Sequence, residues 1–152
     1  MHIVLVEPEI PGNTGNIARL CAATGSKLHL VKPLGFSLAD KYLKRAGLDY
    51  WHLLEVEEHE NFNAVLQKYA GHTFYYNTTK AGKNHTSVQF AADDFLVFGK
   101  ETAGLPESIL SLNPANCIRI PMIKDARSLN LSNAAAVVLF EALRQQNFAG
   151  LD

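Results

Sequence analysis

Two four-residue runs without a polar side chain, Ile3-Val4-Leu5-Val6 and Phe95-Leu96-Val97-Phe98, most narrowly limit how this chain can fold. A strand that is apolar at every position is buried on both faces, which puts it inside a mostly parallel sheet with helices above and below. Leu28-His29-Leu30-Val31, Leu53 to Val56, Thr73 to Asn77 and Ile118 to Ile120 read as further strands. Helical patterns separate them. Ile17, Leu20, Cys21 and Thr24 share a face that ends at Gly25, with Asn13 or Thr14 as the expected cap. Ser37 and Asp40 resemble a capping pair before Leu38 to Ala46, which Gly47 stops. Phe62, Val65, Leu66 and Tyr69 precede Gly71, Pro106 opens a short helix through Leu112, and Ala134 to Gln146 is small, apolar and helix-favouring. Glu7 to Asn16, with two prolines and two glycines, reads as a long turn. With no Asn-Gly hairpin signal, the pattern predicts one α/β domain over residues 1–152, with helices on both faces of the sheet and ligands at the carboxyl ends of the strands.

Charge and cysteine usage narrow the function. A formal net charge of -1 gives no global positive field, so any RNA surface has to be a local patch. Cys21 and Cys117 have neither a CxxC partner nor a histidine at zinc spacing, and both sit in apolar surroundings expected to bury free thiols. The apolar run at the N-terminus is too short for a signal peptide, and Ala134 to Phe140 is far below the ~20 residues of a membrane span. A cytoplasmic protein is the expectation.

Chemistry is expected in three loops. The first, Asn13-Thr14-Gly15-Asn16-Ile17-Ala18-Arg19, sets an amide and a guanidinium six positions apart; taken alone, it reads as a helix cap and a surface cation. In the second, Phe98 to Pro106, Gly99 and Gly104 have the spacing that opens a P-loop. Leu105 and Pro106 stand where that motif needs Lys and Ser or Thr, which argues against nucleotide hydrolysis. Its one carboxylate, Glu101, either accepts hydrogen bonds from a ribose or an amine or sits in solvent. The third places Ser128, Asn130, Ser132 and Asn133 within six residues, more short polar side chains than one helix cap uses. No GxGxxG occurs, which disfavours a nicotinamide enzyme.

Taken together, NTGNIARLC, FGKETAGLP and IPMIKDARSLNLSNAAAVVLFEALRQ resemble, in this order, the three signature motifs of the SPOUT RNA methyltransferases. The ribose 2′-O-methyltransferase branch is the nearest match, in particular its minimal YibK-like members, which act on the wobble nucleotide of tRNA. The likeness extends to EPEIPGNTGN and RAGLDYW and covers essentially the whole chain.

This resemblance implies a Rossmann-like sheet whose C-terminal segment forms a deep trefoil knot, a homodimer, and S-adenosylmethionine as cofactor with no metal ion. By matching positions, Asn77, Thr78, Gly99, Glu101, Gly104, Ile120, Met122, Ser128, Leu129 and Asn133 would hold the cofactor. Arg19 would be the catalytic residue, with Asn13, Glu101 and Asn130 positioning it and the substrate. A guanidinium with a pKa above ~12 is a poor proton acceptor, so a role in holding phosphate and lowering the hydroxyl's pKa stands beside that of general base. For tRNA, cations are expected from Lys41, Lys44 and Arg45 on one helix face, from Lys80 and Lys83, and from Lys124 and Arg127 beside the pocket. Tyr50, Trp51 and His52 are stacking candidates or core and dimer contacts, and His85 is a weaker RNA candidate. Part of the helix from Ala134 to Arg144 is expected in the dimer interface. Methylation of ribosomal RNA and a catalytically silent RNA- or nucleotide-binding module are the rival readings.

Overall fold

The computed structural model describes residues 1–39 and 53–152. In chain order the elements are β1 (His2–Val6), α1 (Pro11–Thr24), β2 (Lys27–Val31), β3 (Val56–His59), α2 (Phe62–Lys68), β4 (Phe74–Asn77), β5 (Phe95–Phe98), α3 (Glu107–Leu110), β6 (Cys117–Ile118) and α4 (Leu131–Gln145). Short 3-10 turns lie at His85–Ser87 and Pro114–Asn116. Among the described residues the strands form one sheet in the order β3-β2-β1-β5-β4-β6, and every strand pairing is parallel.

Strand alternation builds two cores. Ile3, Leu5, Leu28, Leu30, Leu96 and Phe98 pack with Ile17 and Cys21 of α1 and with Val138 and Leu139 of α4. The intervening residues Val4, Val6, Val31, Phe95 and Val97 face Phe62 and Val65 of α2 and Ile109 and Leu110 of α3. Each such side chain removed from water contributes roughly 1.5–3 kcal/mol, so the central strands are the stable spine. Cys21 is fully buried, whereas Cys117 is only half-buried. The chain steps from β1 outward through β2 and β3 and then fills the other side, so the sheet changes direction between β1 and β5. Crevices for ligands open beside such a switch point.

Several boundaries differ from the sequence expectations, among them the last strand, which is Cys117–Ile118 rather than residues 118–120, and α3, which ends at Leu110 rather than Leu112. The supposed turn from Glu7 to Asn16 is helical from Pro11 onward, and neither Asn13 nor Thr14 is the cap; Ile10 occupies that position without a side-chain hydrogen bond. Proline suits the first turn because its fixed φ is already helical, and the missing acceptor, the Glu101 carboxylate, comes from another loop. The third strand is Val56–His59 rather than residues 53–56, because an edge strand tolerates the polar Glu57 and Glu58. The last helix starts at Leu131, where Asn130 Oδ1 accepts hydrogen bonds from the backbone N–H groups of Ser132 and Asn133. Ser37 does accept a local hydrogen bond, from the Ala39 N–H. The remainder of the expected 38–46 helix, together with Lys41, Lys44, Arg45, Tyr50, Trp51 and His52, lies outside the described residues. Among the described residues no helix is long and apolar enough to cross a membrane.

Candidate active site

The carboxyl ends of β4, β5 and β6 each release a loop, and the three loops surround a cavity of about 400 Å³. Asn77 to Lys80 form one wall, Phe98 to Leu105 a second, and Ile118 to Ile120 with Met122 a third. Arg127, Ser128, Leu129, Leu131 and Ala134 close the remaining side. The wall at Gly99 is backbone against backbone. A Cβ there would fall 2.1 Å from the Gly104 carbonyl carbon, and Gly104 itself holds a left-handed φ of +69°. Both glycines are therefore required to bring this turn into shape.

Acidic side chains stitch the turn after β5 to the segment after β1, across the switch point. Lys100 Nζ lies 2.6 Å from Glu7 Oε2. Glu9 accepts hydrogen bonds from the Thr102 N–H and hydroxyl, which hold its carboxyl below the usual range. In return, Glu101 accepts from the backbone N–H groups of Glu9 (2.8 Å) and Ile10 (3.1 Å) and from Asn13 Nδ2 (3.1 Å). A carboxylate at these exposed amides satisfies the start of α1 and opposes its dipole. The relay continues: Asn130 Nδ2 donates to Asn13 Oδ1 at 3.0 Å, and Asn130 Oδ1 accepts from Ser132. Residues from all three sequence motifs thus meet in a single hydrogen-bonded line.

Of the expected cofactor contacts, Asn77, Thr78, Gly99, Glu101, Gly104, Ile120, Met122, Ser128 and Leu129 line the cavity. Asn133 does not. It is exposed on the first turn of α4, where the capping geometry of Asn130 turns it off the wall. Lys80 and Arg127 reach the rim, joined by Arg119. Arg19 is exposed on α1 and is not part of the cavity wall. His85 is buried, with Nδ1 3.3 Å from the Arg119 carbonyl oxygen; it supports the loop rather than presenting a ring to RNA. The sequence reading missed Glu7, Glu9 and Thr102 as parts of the frame. Their only local signal is the Glu-Pro-Glu spacing, and their partners lie more than ninety residues away.

Asn77 Oδ1 is buried and has no hydrogen-bond partner among the described residues, although its Nδ2 donates to the Val97 carbonyl. Among the described residues, the backbone groups of Ile120 and Met122 make no hydrogen bond to other backbone groups. The site therefore offers an unused acceptor, unused edge groups and an apolar floor, the mixture that orients a nucleoside-sized ligand.

Residues 1–140 match the SpoU rRNA Methylase family. A tRNA (cytidine(34)-2'-O)-methyltransferase of Methylovorus glucosotrophus is 56% identical over 149 residues, covering 97% of this chain and 97% of the relative. Its namesake in Escherichia coli is 50% identical over 151 residues, covering 99% and 96%. A solved structure described as giving insight into the 2-OH methylation of C/U34 on tRNA superposes with a TM-score of 0.92 at 42% identity, over 96% of this chain and 95% of that one. The SpoU methyltransferase AviRb from Streptomyces viridochromogenes, in complex with AdoMet, gives a TM-score of 0.84 at 26% identity, over 97% of this chain and 58% of that one. The three stitched loops and this shared sequence and shape lead to one conclusion: the chain belongs to the SpoU methylase family.

Proposed function

We propose that the protein transfers a methyl group from S-adenosylmethionine to the ribose 2′-hydroxyl of the tRNA wobble nucleotide, a cytidine or a modified uridine. The observation that carries this reading is the joining of the three motif loops through Glu101, Asn13 and Asn130, with the second and third of them walling one cavity. The relatives' names specify the nucleotide and the reaction. Asn77, Thr78, Gly99, Gly104, Ile120, Met122, Ser128 and Leu129 would hold the cofactor, with the free Asn77 Oδ1 and the backbone of Ile120 and Met122 as polar contacts.

S-adenosylmethionine, when bound, supplies a methyl already activated on a sulfonium, so the transfer needs no Lewis acid. The chain's own residues have to orient the 2′-hydroxyl and manage its proton. Glu101 works as a positioning residue: protein donors already occupy both of its oxygens, so its main effect is to hold α1 against the Gly99–Gly104 turn. Arg19 follows Asn13 on α1 and supplies positive charge for a phosphate and for the developing alkoxide; a guanidinium is a poor base. Lys80, Arg119 and Arg127 make the rim cationic, which suits a polyanionic substrate despite the net charge of -1. Lys41, Lys44 and Arg45, which lie outside the described residues, are proposed RNA contacts on their sequence alone.

A cytoplasmic homodimer of a single domain over residues 1–152 accords with this function. Val137 and Phe140 are exposed on the outer side of α4, and a second protomer covering them would bring another α1, with its Arg19, into the assembly. A knotted C-terminal segment is part of the same proposal. After β6 the chain pairs with Lys83 and Asn84, lines the cavity and returns as α4 against α1.

The test is methyl transfer from labelled S-adenosylmethionine to bulk tRNA lacking 2′-O-methylation, followed by digestion to nucleosides and mass spectrometry. A 2′-O-methylated pyrimidine should appear with the native chain, and Arg19→Ala should lose most turnover while retaining cofactor affinity. Methylation of ribosomal RNA alone would refute the tRNA substrate, and absence of cofactor binding would refute the methyl-transfer reading.

A further inference from the structure

On the sheet face that carries α2, three histidines far apart in sequence form a chain of imidazoles. His2 Nδ1 lies 2.9 Å from His29 Nε2, and His29 Nδ1 lies 3.1 Å from His59 Nε2. All three rings are buried, His29 completely. Glu57, two residues before His59 on the same side of β3, closes the group. Its Oε2 is 3.8 Å from His29 Nδ1 and 3.6 Å from His59 Nε2. Lys68 Nζ donates to Oε2 and the Tyr69 hydroxyl donates to Oε1, each at 2.8 Å. None of these residues lines the cavity at the ends of β4, β5 and β6.

We propose that His29, Glu57 and His59 bind one divalent cation of the zinc class, which clamps the edge strand β3 to β2, with water as the fourth ligand. The three donor atoms form a triangle with sides of 3.1, 3.6 and 3.8 Å, whose centre lies about 2.0 Å from each corner, close to zinc–imidazole and zinc–carboxylate bond lengths. Two imidazoles and one carboxylate suit zinc, cobalt(II) or nickel(II) better than magnesium or calcium, which prefer all-oxygen cages. Both imidazoles sit out of water, and a neutral imidazole offers one ring-nitrogen lone pair to a cation.

The surroundings fit a second shell. With Nδ1 facing the cation, His29 carries its proton on Nε2 and donates it to His2 Nδ1, an outer-sphere bond that fixes a ligand's tautomer. In the metal-free protein one proton sits in the His29–His59 hydrogen bond; on loading His59 shifts to the tautomer with Nδ1–H, so each neutral ring keeps one proton and both facing nitrogens turn a lone pair to the cation. Lys68 is more than half exposed and has room to leave Oε2 as the cation arrives.

The experiment uses untagged full-length protein stripped with a chelator and titrated with Co²⁺ and Zn²⁺. One equivalent of Co²⁺ should produce the visible absorption bands of a four-coordinate site. One equivalent of zinc should survive desalting, and the thermal midpoint should rise with zinc concentration. His59→Gln and Glu57→Gln should each weaken binding at least tenfold, and His72→Gln, an exposed histidine outside the trio, should leave it unchanged. Lys68→Ala removes the competing ammonium without touching a ligand and should tighten binding, a result readable even if a ligand variant fails to fold. Absence of a one-equivalent Co²⁺ spectrum, or undiminished affinity in both ligand variants, would overturn the site. Neither result bears on methyl transfer, whose cavity is separate.

Discussion

Gly99 shows how much a single residue decides here. Its missing side chain lets the β5 exit lie directly against Gly104 and Leu105, and the turn so formed is one wall of the cavity. Gly99→Ala should cost about 2 kcal/mol or more in stability, because the neighbouring atoms are backbone and cannot rotate away. Urea midpoints would measure that cost, and calorimetry should show cofactor binding lost as well. Glu101 is decisive for another reason. In the sequence it stood open between ligand contact and solvent exposure, and the structure instead gives its oxygens three donors from the α1 start. Glu101→Gln keeps the shape but gives up the charge and turns an N–H group toward those donors. A loss of about 1–2 kcal/mol is expected from thermal or urea unfolding, with a lower rate of methyl transfer at unchanged cofactor affinity.

Among the elements, α1 and α4 owe their placement to side chains that reach beyond them. The last turns of α4 are anchored through Glu141, which accepts hydrogen bonds from Arg144 and Gln145, while Gln145 also bonds the backbone of Val88 and Phe90. The hydrogen bonds from Arg144 and Gln145 hold the Glu141 carboxyl down at about 2. A carboxyl lowered on folding stabilises the protein above its unfolded pKa of ~4.3 and loses that contribution as pH falls toward about 2. Midpoints measured from pH 6 to pH 2.5 should therefore decline more gently in Glu141→Gln than in the native chain. Equal slopes would remove Glu141 from the acid sensitivity of the fold.

For the molecule as a whole, the exposed Val137 and Phe140 on α4 are the expected centre of self-association. Sedimentation should give twice the 16.7 kDa chain mass, and Phe140→Asp should shift it toward one. If the native chain sediments as a monomer, the homodimer is wrong. The sheet was legible in the sequence because Ile3 to Val6 and Phe95 to Phe98 have no polar side chain to turn toward water; local pattern records which surfaces must be buried. Gly25 as the left-handed end of α1 was legible for a similarly local reason. The three loops were recognisable as motifs, and nine of the ten expected cofactor positions do line the cavity, whereas Asn133 remains outside it.

What the sequence by itself determined is the parallel α/β class, the alternation of strands with helices and the loops that hold the three motifs, since these depend on residues only a few positions apart. Only the tertiary structure decided that α1 begins at Pro11, because the carboxylate that satisfies its first amides arrives from Glu101, 91 residues beyond Ile10. It likewise decided that β3 is an edge strand holding Glu57 and His59 beside His29. Both depend on strand order, which brings distant side chains together and has no signature in the periodicity of any one segment.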